Sequence, residues 1–245
     1  MKKAFLILAV LLTLGSSVRA GGGLDYCLGA KLGYQTSTLS LKTSDITSSF
    51  WDHMAFGLFG RINLGSFYVQ PEVLYFKSGN IFSLDFANLS NTIIPTEGEA
   101  SLTLNESELQ VPILVGWQPS FLDFGLVSIR AQVGPTINYT LASTTVFDKT
   151  YSLITTDPNG QETEVEITPE EGNAMDPHDW AWGLQAGIGV DIIKKITIDI
   201  NYNFGLSNVF SNTLNNTALN NYFDFSNVDN TKKNMFMVTV GYKIL

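Results

Sequence analysis

Trp180–Leu206 reads WAWGLQAGIGVDIIKKITIDINYNFGL, and its alternation decides the fold. Trp182, Leu184, Ala186, Ile188, Val190 and Ile192 fall on one face, with Gly183, Gln185, Gly187, Gly189 and Asp191 on the other. After Lys194-Lys195 the pattern resumes: Ile196, Ile198, Ile200, Tyr202, Phe204 and Leu206 against Thr197, Asp199, Asn201, Asn203 and Gly205. A period of two predicts strands, and so short a polar connection predicts an antiparallel hairpin. Its polar face is mostly Gly, Asn and Gln with single acids, which suits a crowded interior. The continuous apolar face then points outward, where only lipid makes that contact favourable. The competing arrangement is a soluble, lipocalin-like barrel with the faces reversed and an apolar ligand inside.

The ends and the composition narrow the class. Met1-Lys2-Lys3, the apolar run Ala4–Leu14, and small residues at Val18 and Ala20 before Gly21 predict a cleaved secretory signal over residues 1–20. Residues 21–245 are then expected to form one barrel domain. The sequence carries 14 Lys and Arg against 23 Asp and Glu, and three of the positives, Lys2, Lys3 and Arg19, fall in the leader. So acidic a chain is not expected to bind nucleic acid, which needs concentrated Lys and Arg. The single cysteine, Cys27, allows no internal disulfide and no thiolate metal cluster.

The same period recurs along the chain. Strands are predicted from Tyr26 to Gln35, Met54 to Leu64, Phe67 to Phe76, Glu108 to Trp117, Val127 to Tyr139, in the two arms of the hairpin, and from Met235 to Ile244. The intervening stretches 36–52, 77–101, 142–178 and 207–233 read as long connections; the Gly65-Ser66, Gln118-Pro119-Ser120 and Lys194-Lys195 turns read as short ones. A small hairpin is predicted around Asn159-Gly160 within the longest connection. Long and short connections alternate, which puts all long ones at one end, as in an eight-stranded antiparallel up-and-down transmembrane barrel of the outer membrane. Tyr242 and Ile244 hold the outward phase of the last strand, whereas the terminal Leu245 falls out of it.

Gly187-Ile188-Gly189-Val190-Asp191, Tyr202-Asn203-Phe204-Gly205-Leu206 and Glu108-Leu109-Gln110-Val111-Pro112 resemble the PorT-like outer-membrane β-barrel family over nearly the whole mature chain. The motifs are structural. The resemblance implies the barrel fold and, through one branch of the family, a link to protein secretion and gliding machinery; most members have no assigned activity. Where that family usually carries Glu, this chain has Gln110, so no acid acts at that position.

Candidate sites follow from the inward face. Lys31, Arg61, Arg130 and Lys243 share it with Glu72, Glu108, Asp191 and Asp199, four positives against four negatives. Buried charges must pair, so a charge network filling an interior of this size is expected, with a narrow polar path for protons or ions as the alternative. Pro71, Pro112 and Pro135 lie in three consecutive strands and predict bulges or failed pairing there, with an opening toward lipid as the functional extreme. Tyr26, Tyr34, Trp117, Tyr139, Trp180, Trp182 and Tyr202 read as interfacial girdles.

His53 and His178, beside Asp52 and Asp179, suggest the one enzymatic reading: lipid modification at the outer rim. It would pair His178 with Asp176 or Asp179 and use Ser48, Ser49 or Ser143 as nucleophile, but no motif frames them. The acidic stretch from Asp157 to Asp179 lacks EF-hand spacing, and the Gly187-Ile188-Gly189 triplet lies inside a strand rather than before a helix. No metal or cofactor is therefore expected. The function expected is non-enzymatic: an envelope scaffold that contacts outer-membrane lipid and other envelope or secretion proteins.

Overall fold

The structure is a computed structural model, and it describes residues 25–40, 46–49, 51–85, 93–95, 99–148, 150–156, 161–167, 178–209 and 232–245. The predicted leader lies outside them. Eight strands form the barrel: β1 (Asp25–Ser40), β3 (Trp51–Leu64), β4 (Phe67–Asp85), β6 (Glu99–Trp117), β7 (Val127–Phe147), β10 (Trp180–Ile192), β11 (Ile196–Gly205) and β12 (Lys232–Lys243). Each pairs antiparallel with the next, and β1 pairs with both β3 and β12, so the sheet closes. Following paired residues once around, from Asp25 through Asn63, Tyr68, Gly116, Gln132, Gly187, Asn201 and Met237, returns to β1 at Gln35, ten residues along. Eight strands with this stagger leave an interior just wide enough for side chains to fill.

The faces fall as the alternation requires. Ile188 is 57 % exposed and Gln185 1 %, and large apolar side chains are exposed outside along the other strands too, while the inner face mixes buried polar residues with the apolar Phe59, Leu74, Phe76, Leu114, Met235 and Met237. The reversed, soluble arrangement is thereby overturned. Leu28 and Leu245 exchange backbone hydrogen bonds, which ties the two ends of the described barrel at the rim of the short turns.

The strands outrun the predicted ones at the opposite rim. Within the stretch 77–101, expected to be a loop, residues 77–85 and 99–101 instead extend β4 and β6, with Lys77 paired to Ser107 and Asp85 to Glu99. Strand β7 continues past Tyr139 to Phe147, and β12 begins at Lys232 rather than Met235. Within stretch 36–52, β1 continues to Ser40, β3 begins at Trp51, and the short strand β2 (Ile46–Ser49) pairs with β4. A separate sheet orders β5 (Ile93–Pro95), β8 (Tyr151–Thr156) and β9 (Glu162–Ile167), with β8 and β9 flanking the predicted Asn159-Gly160 turn, itself outside the described residues. The expected three-residue turn at Gln118 is longer, running to Leu126 and including a 3-10 turn at Ser120–Leu122.

The proline prediction resolves into missing ladder steps without register shifts. Pairing of β3 with β4 stops at Phe59–Glu72 and resumes at Ile62–Val69 beside Pro71. Between β4 and β6 it skips from Pro71–Ile113 to Leu74–Gln110 beside Pro112. Between β6 and β7 it skips from Pro112–Thr136 to Val115–Val133 beside Pro135. A proline lacks the N–H that each step would use. The register shift in these ladders falls elsewhere: Ser107 faces Ala142 while Glu108 faces Thr140, so Leu141 is an inserted residue where β7 leaves the barrel wall.

Candidate functional site

Strand alternation turns a set of charged residues into the lumen, and the structure brings seven of the eight predicted ones together. Asp191 accepts from Arg61 at 2.6 Å, Lys243 at 2.9 Å and Arg130 at 3.3 Å. Asp199 pairs with Arg130 and, at 2.8 Å, with Lys31, which also reaches Glu72 at 2.5 Å. Four cations and three carboxylates thus form one connected cluster in the half of the barrel near the short turns. Hydrogen bonds extend the cluster: Arg61 Nε donates to Gln70 Oε1 at 2.6 Å, Gln70 to Glu72 at 2.5 Å, and Arg130 Nη2 to Thr197 at 2.5 Å. The Tyr68 ring lies 4.8 Å from the Arg61 guanidinium and 5.6 Å from that of Arg130, whose Nη1 donates to the Tyr68 hydroxyl at 2.9 Å. Tyr68 is an inward aromatic among Gln and Arg positions; that mismatch was the available clue to its role.

Glu108, the eighth residue, stands apart. With Glu106 it receives the Lys233 ammonium, 2.7 Å from Glu106 Oε2, and the same ammonium donates to Ser78 Oγ at 2.7 Å. The Ser78 hydroxyl in turn donates to Glu108 at 2.7 Å. Sequence reasoning missed Glu106, Ser78 and Lys233 because it began β6 at Glu108, ended β4 at Phe76 and began β12 at Met235. Each nevertheless sits two residues from an inward position, so extending the phase would have found them. Among the described residues no ion pair joins the two clusters.

The histidines show no comparable assembly. His178 is exposed at the threshold of β10; its backbone N–H donates to Val209 O at 2.7 Å and its carbonyl accepts from Thr140 at 3.4 Å. Its ring has no hydrogen bond to a serine or an acid among the described residues. His53 lies in β3 and Ser48 and Ser49 in β2, Ser143 is on β7, and Asp176 is outside the described residues. No cluster of three or more His, Cys, Asp or Glu suited to a metal occurs among the described residues.

A closed sheet with polar contents and an apolar exterior is matched by its sequence: residues 23–211 fit the family model described as outer membrane protein beta-barrel domain. The chain belongs to this family. As an outer membrane protein beta-barrel domain it is located in the outer membrane. Solved structures similar to it include Ail, the attachment invasion locus protein of Yersinia pestis, crystallised with the heparin analogue sucrose octasulfate, at 11 % identity over 90 % of this chain and 99 % of that one, with a TM-score of 0.40. OprG of Pseudomonas aeruginosa is 13 % identical over 91 % and 96 %, TM-score 0.48, and Neisserial surface protein A 7 % identical over 91 % and 100 %, TM-score 0.39. No curated protein sequence matches it.

The lipid-facing surface of the family member carries the seven aromatic residues at different levels. Tyr26 and Trp117 lie toward the short-turn rim; Tyr139, Trp180 and Trp182 lie toward the long connections, with the Tyr139 and Trp180 rings 4.5 Å apart. Tyr34, paired with Met54 and Val238, and Tyr202, paired with Ala186 and Phe236, lie farther inside the wall.

Proposed function

We propose that this outer membrane protein is a non-conducting, non-enzymatic scaffold whose long connections, and the strands that project with them, contact other envelope components, with protein secretion as the process served. The observation that carries the reading is the filled lumen: seven interlocked charges cross the barrel where a channel would need open space. The PorT-like motif resemblance supports the secretion link, and the length of β4, β6 and β7 beyond the barrel supports a role for the outer surface. In this reading the charge cluster is a structural plug, and Tyr26, Tyr34, Trp117, Tyr139, Trp180, Trp182 and Tyr202 anchor the wall in lipid.

The experiment is a comparison of secreted protein from cells with and without the gene, alongside planar-bilayer recordings of the purified barrel. The reading expects an altered secreted set, restored by complementation, and no stepwise conductance. An unchanged set sinks the secretion link; open-channel steps sink the plug. Loss of a lipid-modification product in a His53→Ala/His178→Ala variant would favour the enzymatic alternative instead.

A further inference from the structure

We propose that the lipid-facing wall carries a site for one acyl chain of a phospholipid of the periplasmic leaflet, formed by a notch across β4, β6 and β7 and the apolar turn next to it. The notch has a volume of about 310 Å³ and is walled by Phe67, Val115, Trp117 and Val133 around Ala131. It arises from one small residue in a row of large ones. Phe67, Trp117, Ala131 and Ile188 are paired neighbours on four adjacent strands, and only the alanine leaves space on the outer face. Behind it lies strand backbone at Gly116 and Gln132, which pair with each other; Gly116 has no side chain, and the Gln132 amide is turned into the lumen, where it donates to Asn201 Oδ1 at 2.8 Å.

The connection from Gln118 to Leu126 continues the same surface toward the short-turn rim. The Phe121 ring meets the Trp117 ring edge-on, centroids 6.0 Å apart, and Phe121, Phe124 and Leu126 are each more than two-thirds exposed. Three such side chains on one turn call for an apolar contact. Trp117 joins them to the wall that faces lipid, and short turns face the periplasm, so the contact is the periplasmic leaflet. At the headgroup boundary these side chains gain by leaving water. Within the hydrocarbon no such gain exists, and retention comes from packing: a chain in the notch touches walls and backbone at once, where a chain on an even wall touches one surface. The neighbouring turn supplies cations for the lipid phosphate. Ile193 N–H donates to Leu126 O at 2.7 Å, which sets the exposed Lys194-Lys195 pair beside the apolar turn, with Asp123 as the acid on that turn.

The test counts retained lipid. Native mass spectrometry of the barrel, extracted from the outer membrane in mild detergent, should show one phospholipid still bound after detergent exchange. Ala131→Leu fills the notch without touching the lumen and should cut the lipid-bound fraction by about tenfold or more, equivalent to about 1.4 kcal/mol; Val133→Phe should do the same. Phe121→Ser and the double change Lys194→Gln/Lys195→Gln should each lower retention by a smaller factor. Ala30→Leu, the same change on β1 four places around the wall, should leave it at the wild-type level. Folding of every variant is checked by its heat-modifiable gel shift. The site is overturned by a wild type without bound phospholipid, by undiminished retention in the filling variants or in both rim variants, or by equal loss in Ala30→Leu. A bound mass that belongs to lipopolysaccharide overturns it too, by placing the occupant in the outer leaflet. So does failure of both filling variants to fold, because an open notch accepts a larger side chain.

Discussion

Arg130 carries the largest share of the lower cluster, contacting Asp191, Asp199, Tyr68, Gln132 and Thr197. Arg130→Met takes from Asp191 one of its three cations and from Asp199 one of its two in a low-dielectric interior, and breaking a buried pair from one side costs about 3–5 kcal/mol. The temperature at which the folded gel band disappears should fall well below that of the wild type. An unchanged temperature accompanied by new conductance would show that the cluster is a path rather than a plug. Ile193 makes the opposite case. It sits in the left-handed region at φ 51°, where a β-branched residue is strained, and its side chain is 62 % exposed. Ile193→Asn keeps the backbone N–H that donates to Leu126 O at 2.7 Å and should raise stability toward urea by about 1 kcal/mol; no gain would mean that lipid contact of the isoleucine outweighs the strain.

Among the elements, the β10–β11 hairpin shows why its polar face is built from glycine. A Cβ on Gly189 would run into the Arg130 guanidinium, with Nη1 2.6 Å away, and into the Asp199 carboxylate. Gly189→Ala should therefore displace Arg130 and reproduce most of the loss expected for Arg130→Met, and the double variant should lose little more, a non-additivity that a thermal cycle would read. The proline steps give a prediction of the other sign. Pro71→Val returns an N–H to the β3–β4 ladder at an outward position and should stabilise the barrel by about 1 kcal/mol in urea titration; a loss would mean that the missing step is required. The hairpin and its inward acids were readable because period two is unbroken from Trp182 to Ile192. The upper halves of β4 and β6 were not, because Asn105-Glu106-Ser107 reads as polar loop and Ser78-Gly79-Asn80 as a turn. Both alternate correctly, but above the lipid level alternation no longer separates apolar from polar. Lys233, adjoining Lys232 at the end of an Asn-rich stretch, looks like a solvated basic pair until β1 is seen to pair with both.

For the whole molecule, strand number and loop alternation sufficed to predict closure, whereas the stagger of ten residues, the insertion at Leu141 and the division of the lumen into two clusters depend on contacts between distant segments. That division separates two properties usually lost together. The lower cluster joins β1, β3, β4, β7, β10, β11 and β12 through side chains, so it is part of what holds the cylinder round. The projecting sheet of β5, β8 and β9 pairs with no barrel strand among the described residues. Removing residues 151–167, which span β8 and β9, should therefore leave the heat-modifiable shift and its transition temperature close to those of the wild type, while the proposed role in secretion is lost where it depends on this sheet. A deletion that lowers the transition temperature sharply would instead make this outer sheet part of the barrel's folding unit, and its surface a poor place to look for partners.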